Sequence, residues 1–216
     1  MFKNFVFDLD GTLLETLPDI CLAMNEAMEK CGYPYRYDPV SAKRLIGDGV
    51  DNLIHRALDS SDSETTFNTL KPVFMPLYKA YQGKTGGTMK NAVEALSRLK
   101  EMGAKLFVCT NKPNPLTKII LNDLFGENMF DFMKGLDEGE APKPDAHNIR
   151  AILDGYNLKE EETLFVGDSM TDYKTAKNGN LAFCLCLYGY GTYTDEFKAI
   201  SDYHINDLME LIELAK

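Results

Sequence analysis

The sequence predicts an α/β fold in which helices cover both faces of a parallel sheet, with an α-helical segment inserted after the first strand. Short apolar runs alternate with segments of helical periodicity in the later part of the chain. Residues 15–82 carry helical patterns and lack a strand pattern. The glycine-rich segment 83–87 follows that helical block and has the composition of a flexible hinge.

The elements can be assigned in chain order from these patterns. The apolar run at 5–7 predicts the first strand. Helices in the inserted block are expected over 17–31, from 38, over 50–58 and from 63 to about 81. Pro72 and Pro76 are expected to kink or divide the last of these helices. The later part predicts a helix at 93–99, a strand at 104–109, a helix at 113–124, a strand at 162–166, a helix from about 170, a strand at 181–187 and a helix at 206–215.

This order predicts two domains. Residues 1–14 and 84–216 form a Rossmann-like core, because strands that alternate with helices build a parallel sheet. Residues 15–83 form a helical domain inserted between the first strand and the rest of the core.

Composition limits the partners. The 216 residues carry a formal net charge of -10, which argues against nucleic acid or an anionic membrane as a partner. A small phosphorylated molecule is compatible with this charge, because the local field of a site attracts it. The odd number of cysteines, five, and a first segment that resembles a strand rather than a leader predict reduced thiols in the cytoplasm. The longest apolar run, 181–188, is too short to cross a bilayer. We expect a monomer or a homodimer.

The first strand ends in two carboxylates, Asp8 and Asp10, followed by Gly11. Parallel sheets bind ligands at the carboxyl ends of their strands, and residues two apart on a strand share a face. Two close carboxylates repel each other, and a divalent cation relieves that repulsion. An EF-hand calcium loop is a poor alternative, because its fifth and twelfth positions are Thr12 and Asp19 here.

Three further motifs fall where predicted strands or loops end. Thr110 and Asn111 follow a strand and could bind phosphate, although a helix cap is the more common use of such residues. Lys143 lies between two prolines and could pair with phosphate or a carboxylate, or be an exposed loop lysine. Asp168 follows another strand and could complete a Mg²⁺ site with support from Asp172; the alternative is that Asp168 or Ser169 caps the next helix.

In this order, the four motifs resemble the haloacid dehalogenase superfamily, the aspartate-nucleophile phosphatases. The helical insert resembles the small cap domain of that superfamily. The segments 46–50, 56–58 and 188–191 resemble the phosphoglycolate phosphatase group. Two positions depart from the pattern. Ala146 stands where many members have a second proline after the lysine, and 86–89 replaces a Pro-Tyr-Pro-Gly-like segment.

The resemblance implies a role for each matching residue. Asp8 is the nucleophile and Asp10 the general acid and base, while Mg²⁺ is held by Asp8, the Asp10 carbonyl oxygen and Asp168, with Asp172 in support. The phosphoryl oxygens are held by Thr110, Asn111 and Lys143, with main-chain N–H groups that Gly11 allows to approach. Lys143 is also expected to keep Asp8 ionised, since a nearby cation lowers the pKa of a carboxyl group.

Selectivity is expected to come from the cap. Arg44 and Asp48, with the adjacent glycines, are the candidate substrate contacts, and Lys43 competes with Arg44 for that role. Lys112 could add charge near the phosphate or face the solvent from a helix.

The predicted function is a Mg²⁺-dependent phosphatase for a small phosphoester such as phosphoglycolate, acting through an aspartyl phosphate. The alternatives are a phosphomutase of the β-phosphoglucomutase type, a pyrophosphatase or 5′-nucleotidase of the same superfamily, and a binding protein that has lost turnover.

Overall fold

The structure is a computed structural model that describes residues 1–215. The chain divides into two compact units, one comprising Met1–Leu14 and the chain from Thr88 onward, the other Glu15–Gly87. The second unit therefore ends at 87 rather than at the predicted 83. Hydrogen bonds explain the difference, because the Asp19 carboxylate accepts from the main-chain N–H groups of Gly83 (2.8 Å) and Thr85 (2.8 Å). The segment predicted to be a hinge is thus tied to the first helix of its own unit.

The predicted parallel sheet is confirmed. The strands are β1 Asn4–Phe7, β2 Leu14–Glu15, β3 Gly87–Thr88, β4 Lys105–Pro113, β5 Phe132–Leu136, β6 Thr163–Gly167, β7 Ala182–Cys186 and β8 Tyr203–Ile205. Within the described residues, six of them form one parallel sheet in the order β5-β4-β1-β6-β7-β8, and β2 pairs with β3. Counted along the sheet, this is the Rossmann order 3-2-1-4-5-6, whose two halves diverge between β1 and β6.

Helices cover both faces of this sheet, as predicted. The helices are α1 Leu17–Lys30, α2 Pro39–Ala42, α3 Val50–Leu58, α4 Glu64–Tyr81, α5 Ala92–Glu101, α6 Asn114–Phe125, α7 His147–Gly155, α8 Met170–Asn178 and α9 Asp195–Ile200, with short 3₁₀ turns at Lys43–Leu45, Asp59–Ser61, Glu160–Glu162 and Leu208–Leu214. Phe5 and Phe7 belong to one core with α5 and α6, while Val6 belongs to a second core with α7 and α8. This alternation follows from the two-residue period of a strand, and each such buried side chain contributes about 1.5–3 kcal/mol.

At the β7–β8 edge of the sheet, Asp202 stabilises the segment between α9 and β8. Its carboxylate accepts hydrogen bonds from Lys177 Nζ (2.7 Å) and from the Phe183 N–H (2.9 Å). Burial by itself would raise the pKa of Asp202, but these hydrogen bonds outweigh it and lower the pKa below its ordinary value.

In the helical unit, α1 packs against α4. Of the two expected effects of the prolines, a kink or a division of the helix, division does not occur, since Glu64–Tyr81 is one helix that contains Pro72 and Pro76. Both prolines are exposed, whereas Phe74 and Tyr78 are buried on the other side of the helix. Water can therefore reach the carbonyl groups that the prolines leave without an N–H partner.

Several other elements differ from the prediction. Strand β4 continues to Pro113, where a helix start was expected, and the last helical segment is the 3₁₀ turn Leu208–Leu214. The elements β5, β8, α7 and α9 were not predicted. Among the described residues, the helices are too short or too polar to cross a membrane.

Candidate active site

Asp8 lies at the carboxyl end of β1, beside the point where the two halves of the sheet diverge. The strand is assigned to end at Phe7, but the Asp8 N–H still donates to the Val166 carbonyl at 2.9 Å. The side chain is almost completely buried, and its Oδ1 accepts a hydrogen bond from Lys143 Nζ at 2.7 Å. The sheet therefore fixes the main chain of Asp8, and a lysine fixes its carboxylate.

Asp10 has a different environment from Asp8. The strand geometry on which a shared face with Asp8 depended does not reach Asp10, because β1 ends at Phe7 and the main chain of Asp10 bridges to Leu14. The Asp10 carboxylate lies near Lys112 instead, with 3.3 Å between Oδ1 and Nζ. The two acids thus have separate lysine partners and can perform different chemical roles.

Gly11 allows a close approach of other residues at this turn. Its φ is +85°, and a Cβ atom added there would lie 2.5 Å from Asp168 Oδ2. The Gly11 N–H itself donates to the Leu14 carbonyl at 2.9 Å and stabilises the turn, and the approach of other main-chain N–H groups to a phosphate stays a prediction. The requirement for glycine here is steric.

Lys143 connects two carboxylates. Its Nζ lies 2.7 Å from both Asp8 Oδ1 and Asp172 Oδ1, and its side chain is only 2% exposed. Burial alone would lower the pKa of Lys143, but the charges of Asp172 and Asp8 outweigh it and raise the pKa. The lysine remains a cation at neutral pH and holds the nucleophile candidate in place.

Asn111 holds the main chain of this lysine. The Lys143 N–H donates to Asn111 Oδ1 at 2.6 Å, and Asn111 Nδ2 donates to the Lys143 carbonyl at 3.2 Å. The structure thus places the Asn111 amide on the loop that carries Lys143, and contact of Asn111 with phosphoryl oxygens stays a prediction. Neighbouring Thr110 is buried at the end of β4, and its hydroxyl accepts from the Lys112 N–H at 3.3 Å.

Asp168 follows β6 and is held by the loop after β7. The Tyr190 N–H donates to Asp168 Oδ2 at 2.6 Å, and Thr12 Oγ1 lies 3.4 Å from Asp168 Oδ1. A Cβ atom on Gly189 would collide with the Asp168 side chain, and one on Gly191 with its carbonyl oxygen. The sequence showed these glycines only as part of a family-like segment, although their alternate spacing indicates a backbone that approaches another group closely.

Asp172 lies in the first turn of α8. Its Oδ2 accepts from the N–H (3.0 Å) and hydroxyl (2.6 Å) of Ser169, which completes a capping box, while its Oδ1 contacts Lys143. A Cβ atom on Gly167 would lie 2.5 Å from the Asp172 Cβ. The cap by Ser169 that the sequence allowed is therefore present, and the role of Asp172 toward a cation stays a prediction.

The carboxylates form a group that fits a divalent cation. One oxygen each from Asp8, Asp168 and Asp172 lie within 4.8 Å of one another. Together with Asp10 there are four carboxylates and two lysines, Lys112 and Lys143, which leaves a formal charge of -2. Hard oxygen donors with this excess charge are the ligands that Mg²⁺ prefers.

The pKa values reflect the same excess of negative charge. Burial, with the charge of Asp172, raises the pKa of Asp8 to about 7 against the opposing effect of Lys143. Burial and the charges of Asp172 and Asp8 also raise the pKa of Asp168, against the Tyr190 N–H. Lys143 lowers the pKa of Asp8, in the direction expected from its charge, but burial and Asp172 outweigh it. A bound cation would stabilise the ionised carboxylates.

The candidate substrate contacts Arg44 and Asp48 both lie in the helical unit Glu15–Gly87. Asp48 forms an ion pair with Arg56, which also donates to the carbonyls of Leu45 (3.3 Å) and Ile46 (3.2 Å). Arg44 is exposed and lines a cavity of about 380 Å³ whose other lining residues are His55, Arg56, Asp59 and Asp62. Lys43 is exposed. The roles of Arg44 and Asp48 toward a substrate stay predictions.

Comparisons with known proteins agree with the family resemblance of the sequence motifs. A family model for haloacid dehalogenase-like hydrolases matches residues 5–186. A phosphoglycolate phosphatase of Vibrio cholerae is 31% identical over 220 residues, which cover 98% of this chain and 96% of that protein. One from Cereibacter sphaeroides is 37% identical over 191 residues, which cover 86% of this chain and 85% of that protein. The crystal structure of "a predicted phosphoglycolate phosphatase" from Haemophilus somnus superimposes with a TM-score of 0.91 at 29% identity, over 99% of this chain and 97% of that one.

The chain belongs to the haloacid dehalogenase-like hydrolases. It is a phosphatase that acts on phosphate esters.

Proposed function

We propose that the protein is a Mg²⁺-dependent phosphatase that hydrolyses a small phosphomonoester of the phosphoglycolate type through an aspartyl phosphate at Asp8. The observation that carries this proposal is the environment of Asp8. Its carboxylate is buried at the carboxyl edge of the sheet, fixed by Lys143, and adjacent to Asp10, a second carboxylate with a partner of its own. The relatives named as phosphoglycolate phosphatases support the choice of substrate class.

In the first step, an oxygen of Asp8 forms a bond to phosphorus while the bond from phosphorus to the leaving alcohol breaks. A proton passes from the Asp10 carboxyl group to the leaving oxygen. The Lys143 ammonium and the Thr110 hydroxyl hold phosphoryl oxygens while charge moves onto them. Asn111 contributes by fixing the main chain of Lys143.

In the second step, Asp10 accepts a proton from a water molecule whose oxygen attacks phosphorus. The bond from phosphorus to Asp8 breaks, so inorganic phosphate leaves and both aspartates return to their starting states. One group can act as acid and then as base because it stays beside the same reacting centre.

Asp8, Asp168, Asp172 and the Asp10 carbonyl oxygen are the groups that would hold Mg²⁺. When bound, the cation supplies charge that offsets the repulsion between the Asp8 carboxylate and a phosphate dianion. The remaining parts of the proposal are a cytoplasmic location, supported by the five free cysteines, and a monomeric or homodimeric state.

The test is a panel of phosphorylated metabolites that includes phosphoglycolate, assayed with Mg²⁺ for released phosphate. Borohydride quenching during turnover should convert Asp8 to homoserine, which mass spectrometry of the peptide detects, because borohydride reduces acyl phosphates. D8N should abolish both signals, whereas D154N, at an exposed aspartate on α7, should retain them. Phosphate release by D8N at the wild-type rate, or reduction at another residue, would refute the mechanism. Conversion of a sugar 1-phosphate without phosphate release would indicate a phosphomutase instead.

A further inference from the structure

Lys112 is a buried charged residue that the reaction as described does not use. Its side chain is 0% exposed, and its Nζ lies 3.3 Å from Asp10 Oδ1. The sequence allowed a solvent-facing helix position for Lys112, but the structure places it inside strand β4, which runs through Pro113. A lysine that is removed from water needs a compensating partner, since burial disfavours the ammonium ion.

The position of Lys112 links two parts of the site. Its main-chain N–H donates to the hydroxyl of Thr110, two residues earlier on the same strand, at 3.3 Å. Its side chain reaches from β4 to the turn after β1, where Asp10 lies. The main chain of Asp10 bridges to Leu14 in this turn, whereas the main chain of Asp8 is still hydrogen-bonded to Val166 of β6.

We propose that Lys112 is a positioning residue that orients the Asp10 carboxylate toward the leaving oxygen in the first step and toward water in the second. This inference rests on the proposed function, because it assumes that Asp10 transfers these protons. A direct contact between Lys112 and the substrate phosphate is the competing arrangement, and the experiment separates the two.

The experiment compares K112M, D10N and the double variant on two kinds of ester. An alkyl phosphate needs a proton on its leaving oxygen, whereas 4-nitrophenyl phosphate releases a stable phenolate without one. General acid–base groups contribute about 10²–10⁴-fold. K112M should therefore lower the rate of Asp8 phosphorylation by the alkyl ester roughly tenfold to a hundredfold, within that range. The same rate with 4-nitrophenyl phosphate, measured as the burst of nitrophenolate, should change less than about twofold.

The double variant tests whether Lys112 acts through Asp10. If it does, adding K112M to D10N causes little further loss of kcat, because effects of coupled residues are not additive. The KM for the alkyl ester and inhibition by vanadate should stay near wild type. K112R, which keeps the positive charge, should recover part of the lost kcat.

Four results would overturn the inference: multiplied losses in the double variant, equal losses on both esters, a wild-type rate in K112M, or weaker vanadate binding with kcat unchanged. The last of these would assign Lys112 to the phosphate. Circular dichroism and thermal melting check that each variant folds. K112Q takes the place of K112M if the methionine variant does not fold, and the same dependence on leaving group is expected.

Absence of phosphate release by the wild-type protein from every ester would refute the proposed function itself, whereas a wild-type rate in K112M would refute only the role of Lys112.

Discussion

Asn111 holds the loop of Lys143 by two hydrogen bonds. We therefore expect the variant N111A to lose both folding stability and phosphatase activity. The variant leaves the Lys143 N–H and carbonyl without this partner in a buried position. A buried polar group that loses its partner costs about 1–3 kcal/mol, so we expect the free energy of unfolding to fall by about 2–3 kcal/mol. For a chain of this length, that change corresponds to a melting temperature roughly 4–12 °C lower.

The activity should fall further than the stability change explains. Lys143 contacts Asp8, and a displacement of about 1 Å in a catalytic group can cost 10²-fold in rate. We therefore expect N111A to lower kcat about a hundredfold, since the loop that carries the lysine is released. The assay measures phosphate release below the melting transition, together with thermal melting by circular dichroism.

The matched control is N4A. Asn4 and Asn111 are both 6% exposed, but Asn4 lies at the opposite end of the sheet, where it donates to Thr163 Oγ1 at 3.1 Å. We expect N4A to lose stability of the same order while kcat stays at the wild-type value. If N111A melted early but kept the wild-type kcat, the reasoning that Asn111 positions Lys143 would be refuted.

Three further predictions concern the cation, pH and helix α4. The methyl group of G189A would collide with Asp168, so this variant should bind Mg²⁺ about tenfold or more weakly in calorimetry. In the control G155A the added methyl group meets open space, so its Mg²⁺ affinity should not change. Equal Mg²⁺ affinities in the two variants would contradict this prediction. Because the pKa of Asp202 is lower in the folded protein, the ionised Asp202 stabilises the fold fully at pH values above its unfolded pKa of about 3.9. That stabilisation is lost as the pH falls through the folded pKa, so the difference in unfolding free energy between wild type and D202N, measured in urea, should shrink at low pH. A difference that stays constant with pH would disprove this prediction. P76A should raise stability by about 1–2 kcal/mol, since it restores a helix N–H at an exposed position; an unchanged denaturation midpoint would count against this.

Much of the core could be predicted because strands buried on both faces appear as continuous apolar runs. Strands β1, β4, β6 and β7 have this pattern, and the acidic and polar residues that follow them locate the ligand edge of the sheet. Strand β5 lacks the pattern, since Lys134 and Gly135 interrupt it, and β8 has only three residues. Short or polar strands depend on neighbours for their stability, and sequence periodicity does not reveal those neighbours.

The residue types of the site could be predicted more readily than their contacts. The sequence indicated Asp8, Lys143 and Asp168 as candidates, and the structure brings them together. It did not indicate that Asn111 contacts a main chain or that Lys112 lies beside Asp10, because these contacts join residues far apart in the chain. The pKa of Asp8 likewise depends on its burial and on how near Asp172 lies to it, which the motifs do not give.

The pairing of Leu14–Glu15 with Gly87–Thr88 has an evolutionary consequence. The helical insert leaves the core and returns to it on two adjacent strands, so its beginning and end are held side by side. A segment of another length or sequence could be grafted between these two points without disturbing the order of the sheet. Exchange of the insert at this junction during evolution would leave Asp8, Lys143 and Asp168, and the order of the strands, unchanged.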